Sequence, residues 1–534
     1  MATHALDFRN RQGLLDRLDG SHFDLVIIGG GVTGAGIARD GAMRGLSVAL
    51  VEARDFAAGA SSRSSKMIHG GLRYMAQGDL KLVQEAASER KAVEQIAPHL
   101  TRLMPFVIPA KNAAAIAKLR TGLWAFEKLG GVAKDRRHTL WSRADLETFE
   151  PSINADDLAG AIVYPEYLTD DAKLTLANLR SAADLGAAVA SYTPVEEILL
   201  ENGRATGVVI GDALTGQKGR ARLYGKVIIN AAGPWVDSLR RLETGSATTK
   251  LTLTKGVHLV VPKARLPLER TVIMTASDRR SVFAVPKGDM TYLGTTDTFY
   301  PDSDYWPRID AADANYLLAA AAQRFSTEPL TFSDIVSAWS GLRPLVAEEG
   351  KSASDISRKD EIWTGPGGIL SIAGGKLTAY RMMAERVVDM AEQALGRKPQ
   401  ASHTATTPLP GGEVDVASLT AELTRQLNSP TATERLVGLY GAEAAGVVGG
   451  PAIEARHAVL FEGALTLEDY WVRRSARAWF DDDGGLDALP AAAESMAELL
   501  AWTPDQRDQQ IAQCRQLQAQ NLSFLSPSTT EMPA

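Results

Sequence analysis

Residues 24–52 read Asp24-Leu-Val-Ile-Ile-Gly29-Gly-Gly31-Val-Thr-Gly34-Ala-Gly, then an alanine-rich stretch, then Ser47-Val-Ala-Leu-Val-Glu52. An apolar run, a glycine turn, a helix-forming segment and a second apolar run ending in an acid make one βαβ unit. Gly29 permits the tight turn, Gly31 lets a pyrophosphate approach the backbone, and Gly34 lets helix pack on strand. The phosphates then sit on the helix N-terminus, where unpaired N–H groups and the dipole favour an anion. Glu52, 18 residues after Gly34, ends the second strand, where a carboxylate accepts both hydroxyls of an adenosine ribose and repels a 2′-phosphate. The bland alternative is a tight βα turn with no ligand. Strand, turn, helix and acid in register favour the dinucleotide.

At 534 residues the chain is too long for one hydrophobic core and holds roughly three to four domains' worth of material. Hydrophobic content of 45% and charged content of 23% describe a soluble globular protein. The net charge, 57 minus 64 or −7, gives no reason to expect a nucleic-acid partner. A single cysteine, Cys514, excludes disulfides within the chain and Cys-rich metal or cluster sites, so no metal is expected and a reducing, cytoplasmic setting is. There is no run of about 18 apolar residues, and the N-terminal segment with Arg9, Arg11, Asp16, Arg17 and Asp19 lacks a signal-peptide core. The expectation is a chain that neither spans a membrane nor is exported by that route.

Residues 1–22 form a polar leader with a short amphipathic pattern at Leu14, Leu15 and Leu18. Helical spacing of Leu82, Val83, Ala86 and Val93 predicts a helix from Leu80 to Ile96, ended by Pro98. A loop-rich stretch over 101–165 contains one helical segment near 112–129, and a further helix runs from Asp171 to Leu185 before Gly186. Strands follow at 205–210 and 226–230. The second enters Ala231-Ala-Gly233-Pro-Trp235, whose small residues let a ligand come close. Several strands are predicted between 251 and 299. After Trp339-Ser-Gly-Leu-Arg343-Pro344 the chain returns to βα texture, with Gly374-Gly-Lys376 opening a helix that reaches Leu395. A Pro/Gly/Thr-rich stretch at 397–412 closes this half. Residues 413–520 read as helical and 521–534 as a disordered tail.

Ser61-Ser-Arg-Ser-Ser-Lys66-Met-Ile-His69-Gly-Gly-Leu-Arg73-Tyr74 packs hydroxyls, cations, a histidine and a tyrosine more densely than a solvated loop requires. His69 has an ordinary value of about 6.5 and accepts a proton at neutral pH. Gly341-Leu-Arg343-Pro and Gly374-Gly-Lys376-Leu-Thr378 each set a cation beside glycine at a loop or helix start. Converging, they would bind a phosphate or carboxylate, Arg by a bidentate fork. Lys376 has a second role available, since a positive charge and helix N-terminus beside an isoalloxazine stabilise its reduced anion. Surface ion pairing is the ordinary alternative for each. Arg358 stands close to that surface reading, Gly294-Thr-Thr296-Asp297 reads as a turn, and His258 in its β-rich run reads as a satisfied core histidine.

The set Gly29–Gly36, Ser61–Tyr74, Ala231–Trp235, Gly294–Asp297, Ser340–Pro344 and Gly374–Tyr380, in this order, resembles the aerobic FAD-dependent glycerol-3-phosphate dehydrogenases. The match covers about residues 20–412. It implies a glutathione-reductase-type FAD domain of the D-amino-acid-oxidase-like flavoproteins, an α/β fold. This domain would be built from 20–100, 165–250 and 340–398, interleaved with a β-sheet substrate domain from 101–164 and 251–339, and followed by the helical region.

The reaction implied is oxidation of sn-glycerol 3-phosphate to dihydroxyacetone phosphate, with hydride passing from C2 to flavin N5 and electrons going to a membrane quinone. By motif, FAD would be held noncovalently by Gly29, Gly31, Gly34, Glu52, Ser62, Ser65, Lys66, Gly233, Gly375, Lys376 and Thr378. Arg73, Arg343, Lys376 and Thr296 would grip substrate, with Arg358 a phosphate ligand. His69, His258 and Tyr74 would line the reacting end, together with the arginines. His69 is favoured as base, because Arg is always protonated and Tyr titrates near 10. The resemblance also implies peripheral contact with the inner face of the cell membrane and admits a homodimer. Residues 111–129 offer the lipid face, with Ile116, Leu119, Leu123 and Phe126 on one side and Lys111, Lys118, Arg120 and Lys128 flanking, although a docked cap helix has the same pattern.

Beyond 412 the chain departs from the pattern, with Arg473-Arg474-Ser475 where the family often carries Arg-Arg-Thr. A soluble oxidase making hydrogen peroxide and an amine or amino-acid oxidase of the same superfamily are the rival enzymes. The known oxidase relatives carry an insertion for which 534 residues leave little room.

Overall fold

The strand, turn and helix of the opening motif are His22–Ile28, the Gly29–Gly31 turn and Val32–Met43, followed by the strand Val48–Val51. A computed structural model describes residues 6–69, 80–245, 248–347 and 359–525. Around His22–Ile28 a parallel sheet is laid down, in the order Leu370–Gly374, Gln217–Asn230, His22–Ile28, Val48–Val51 and Ala188–Ala190. Asp360–Thr364 closes one edge antiparallel, and the hairpin Val195–Glu201 and Arg204–Asp212 pairs onto the long strand Gln217–Asn230. These central strands read as unbroken apolar runs because both faces are covered. On one face Ile27, Leu50 and Ile229 pack with Ile37, Leu176, Leu179, Ala384 and Val387 from helices Val32–Met43, Asp171–Asp184 and Tyr380–Ala394. On the other, Val26 and Ile228 meet Val208 and Ile210, and the leader helix Arg11–Leu18 inserts Leu15 and Leu18.

A second, mostly antiparallel sheet runs Leu251–Pro262, Met290–Gly294, Ser281–Lys287, Thr271–Thr275, Arg102–Ala110 and Gly160–Leu168, ending on the two-residue strand Met67–Ile68. Ser337–Val346 pairs with Leu251–Pro262 along its length. Residues 340–346, including Arg343, were placed in the nucleotide-binding unit on sequence, and they belong instead to this sheet. The apolar texture on both sides of Gly341 is common to the two sheets and does not reveal which neighbour a strand will find. Helix Ala311–Arg324 covers one face through Leu317 and Ala321.

The C-terminal helices cover the other face, where Trp471 and Trp479 are buried with Trp339, Phe106 and Tyr292. Helix Ala113–Leu129 lies on this same face. Leu123 is 1% and Phe126 3% exposed, and Ile116 and Leu119 pack against the shared core. The apolar stripe read as a lipid face therefore faces the protein, which corrects the choice between lipid and docked helix toward the docked one. Of the expected tail 521–534, residues 521–525 are ordered: helix Pro504–Asn521 continues into Ser523–Leu525, where Phe524 is buried against Phe332, and 526–534 lie outside the described residues.

Among the described residues no single helix is long and apolar enough to cross a membrane. His99 wedges the C-terminal domain against the rest. A Cβ at Gly411 would lie 3.0 Å from its Nε2, and one at Gly441 would lie 2.7 Å from its Cγ. Burial, reinforced by Lys173, pushes its imidazole down to about 3. The unfolded chain takes up this proton below about pH 6.5 and the native one does not, so the stability contribution is complete above that pH and is lost as pH falls. Replacement by glutamine is therefore expected to flatten the acid limb of stability. Between about pH 6 and 4 the parent should lose up to about 1.4 kcal/mol per pH unit relative to His99→Gln, measured by urea unfolding.

Candidate active site

Gly29 sits at φ +114°, and a Cβ there would lie 2.6 Å from the carbonyl oxygen of Ala231 on the neighbouring strand end. Gly34 is tighter still, its hypothetical Cβ falling 1.9 Å from the carbonyl oxygen of Gly29. Helix and strand thus approach as closely as backbone allows. Gly31 is the N-cap and supplies no capping side chain. The Val32 amide of the first turn is instead taken by Ser61 Oγ at 2.9 Å. Glu52 folds back over the turn, Oε2 accepting from Gly30 N at 2.7 Å and Oε1 from Arg54 N at 2.9 Å. Burial nevertheless pushes its carboxyl above the ordinary range.

A long cleft starts at this turn and ends between the two sheets. Gly29, Gly31, Glu52 and Thr193 line it, together with Gly233, Gly374 and Gly375, and with Ser65, His69, His258, Arg343, Lys376 and Thr378. Gly374 and Gly375 turn the chain at φ +78° and +76°. Lys376 follows as the N-cap of the short turn Leu377–Ala379, which runs into Tyr380–Ala394, so the start of that long helix faces the cleft. Thr378 Oγ1 clasps the His69 backbone, accepting from its N–H at 3.1 Å and donating to its carbonyl at 2.8 Å.

Arg343 projects from the second sheet. Its Nη1 meets Asp297 Oδ1 at 3.0 Å, while Nη2 donates to Thr295 Oγ1 at 2.9 Å and to the Thr296 carbonyl at 3.2 Å. The segment Gly294–Asp297 is thus the socket of the guanidinium rather than a plain turn. His258 is 1% exposed and stacks on Trp339 with centroids 4.6 Å apart. Its Nε2 lies 2.9 Å from Ser65 Oγ, and its buried Nδ1 has no hydrogen-bond partner. Burial, reinforced by Arg343 and Lys66, holds the imidazole well below its ordinary value, so it is neutral.

Four residues expected at the site do not line the cleft, and one of them, Gly34, is taken up by the packing of helix on strand. Lys66 buries its ammonium against Asp171 Oδ1 at 2.6 Å and the Ser62 carbonyl at 3.0 Å. Ser62 is buried beside it, and Thr296 spends its hydroxyl on the Val257 amide at 3.0 Å. Ser62 and Lys66 each lie between two lining residues, yet their own side chains turn inward. Arg73, Tyr74 and Arg358 lie outside the described residues. Residues missed on sequence are Ser61, Thr193, Asp297 and Trp339. Ser61 and Asp297 carried a local signal, as a hydroxyl and an acid within quoted motifs, whereas Thr193 carried none.

The FAD dependent oxidoreductase family model matches residues 24–381, and the model of the C-terminal domain of alpha-glycerophosphate oxidase matches residues 451–507. The aerobic glycerol-3-phosphate dehydrogenase of Bacillus subtilis is 38% identical, over 94% of this chain and 96% of its own. That of Staphylococcus haemolyticus is 36% identical, over 95% and 96%. The chain belongs to this family. A solved structure of the glycerol-3-phosphate dehydrogenase from Bacillus halodurans, complexed with FAD, superposes with a TM-score of 0.80 at 32% identity, covering 98% of this chain and all of that one.

The cofactor of this family is FAD, and the residues present fit it: Gly29 and Gly31 at a turn with no N-cap side chain, and the carboxylate of Glu52, open on one cleft, with Gly34 letting the helix close on the strand beneath. The family likeness does not stop at 412, since relatives and the C-terminal model both extend beyond it.

The space around the two outer glycines separates binding from folding. A Cβ at Gly31 meets nothing closer than Ser61 Oγ at 3.2 Å. Gly31→Val is therefore expected to fold, with the far-ultraviolet circular dichroism of the parent, yet to purify without flavin absorbance. Gly34→Val should fail to accumulate as folded protein. A yellow Gly31→Val protein would show that the diphosphate lies elsewhere.

Proposed function

We propose that the chain oxidises sn-glycerol 3-phosphate to dihydroxyacetone phosphate and passes the electrons to a membrane quinone while lying on the bilayer surface. The observation that supports this best is that Arg343, Lys376, His69 and His258 line the same cleft as the glycine turn and Glu52. FAD bound in the cleft supplies the acceptor for hydride from C2. Arg343, held by Asp297 and Thr295, offers its positive charge to the phosphate, and Lys376 adds a second cation. By motif, Arg73, Tyr74 and Arg358 complete the grip.

The general base takes the C2 hydroxyl proton. His69, which lines the cleft and whose backbone Thr378 clasps, is the motif choice. His258, buried, neutral and hydrogen-bonded to Ser65, lines the reacting end. A second reading, oxygen as acceptor with hydrogen peroxide as product, is supported by the match to the oxidase C-terminal domain.

Peripheral attachment is supported by the outer face of helix Ala113–Leu129, where Trp124 is 58% exposed beside exposed Lys118, Arg120 and Lys128. An aromatic ring among cations suits an anionic headgroup layer.

Anaerobic mixing with glycerol 3-phosphate should bleach the bound flavin, whereas glycerol and D-alanine should not. Arg343→Ala should keep FAD and lose about 30-fold to several thousand-fold in kcat/KM, the equivalent of about 2–5 kcal/mol for one arm of a buried charged contact. His69→Ala should slow flavin reduction by about 10²–10⁴-fold, and His258→Ala by less. The reverse order would move the base to His258.

On phosphatidylglycerol vesicles, Trp124→Ala combined with Lys118→Glu and Arg120→Glu should release the protein, each cation being worth about 1 kcal/mol, while turnover with a soluble dye persists. Leu119→Ser with Leu123→Ser should lower thermal stability instead. Stoichiometric oxygen consumption without vesicle binding would select the oxidase reading.

A further inference from the structure

Among the described residues the FAD cleft receives no wall from the C-terminal domain: its lining ends, in chain order, at Met383. Both segments that enclose its Glu52 end are nevertheless gripped by that domain. The grip comes from one π-helical turn, Asp469–Arg474. The wider turn lets two successive arginines reach a single carboxylate. Arg473 Nε and Arg474 Nη1 both bond Asp55 Oδ2, and Arg474 Nη2 donates to Oδ1 at 2.8 Å. All three side chains are fully buried. Asp55 lies three residues beyond Glu52, on the loop that continues to Ser61.

The first residue of the same turn holds the second segment. Asp469 Oδ1 accepts from Tyr192 Oη at 2.6 Å. Tyr192 N in turn donates to the Arg54 carbonyl at 2.8 Å, and Thr193 N donates to the Glu52 carbonyl at 2.7 Å. The main chain on both sides of Glu52 is therefore tied, through Asp55 and Tyr192, to one distant turn. Ala57 and Tyr192 sit at φ +60° and +57°, a left-handed conformation that non-glycine residues keep only where their surroundings enforce it. Arg473 adds bonds to Glu468 Oε1 at 2.9 Å and Tyr305 Oη at 3.0 Å, so the turn is itself anchored.

We propose that Asp469–Arg474 is a positioning element for the cofactor: through Asp55 and Tyr192 it holds the ADP-binding end of the cleft in its binding geometry. FAD retention then depends on a domain that does not touch FAD. The residues act on the nucleotide half alone, so ADP affinity should fall together with FAD affinity.

The test uses full-length apoprotein titrated with FAD, followed by flavin fluorescence, and with ADP as competitor, while circular dichroism reports the folded fraction. Tyr192→Phe removes one hydroxyl, and Arg474→Lys keeps the charge but loses the fork. Both are expected to weaken FAD and ADP by the same factor, about ten- to hundredfold, at an unchanged folded fraction. A purely structural role would lower the folded fraction and leave the affinity of the folded protein intact. Either folded variant binding FAD within twofold of the parent, or losing FAD affinity without losing ADP affinity, overturns the proposal. Should Arg474→Lys fail to fold, Tyr192→Phe decides by the same criterion.

Discussion

A diphosphate can lie on a helix start only if bare backbone amides face it and no side chain intervenes, and the rest of this molecule is arranged around that constraint. Gly34 brings the helix onto the strand so closely that even a methyl group would overlap the Gly29 carbonyl. Gly31, as N-cap, brings no side chain of its own to the helix start, where the Val32 amide is held by Ser61 Oγ. The parallel sheet, buried on both faces, supplies the rigid base that such a close approach requires.

The chemistry is divided between the two sheets. Lys376 belongs to the nucleotide-binding sheet and helix, whereas Arg343 and His258 belong to the second sheet. Neither sheet is a site alone. Their meeting line is sealed by Ser65, which reaches His258, and by Lys66, whose buried pairing with Asp171 ties the connecting segment to helix Asp171–Asp184. Such a pair is costly to bury and more costly to break, so it specifies one arrangement of the segment. The C-terminal domain stacks its tryptophans on the face of the second sheet behind Trp339, the residue on which His258 lies.

Legibility followed the range of the interaction. The βαβ unit, helix Leu80–Ile96 and helix Asp171–Asp184 were readable because capping, glycine geometry and helical period act within a few residues. FAD and most of the cleft residues were readable because their motifs are contiguous. Ser62, Lys66 and Thr296 were misplaced because a motif names neighbours in the chain without saying which of them faces the ligand. Helix Ala113–Leu129 was correctly bounded, yet its environment was open, since a helix docked on a sheet and one docked on lipid bury the same stripe.

The sequence by itself determined the nucleotide-binding turn, the ribose acid and the identity of the cations and histidines, because each is a local chemical requirement written in consecutive residues. Only the tertiary structure decided that Arg343 is held by Asp297, that His258 is stacked, buried and neutral, and that Asp55 is clamped by Arg473 and Arg474. Those contacts join residues tens to hundreds of positions apart. Their energies come from burial and from the exclusion of water, which no spacing in a chain records.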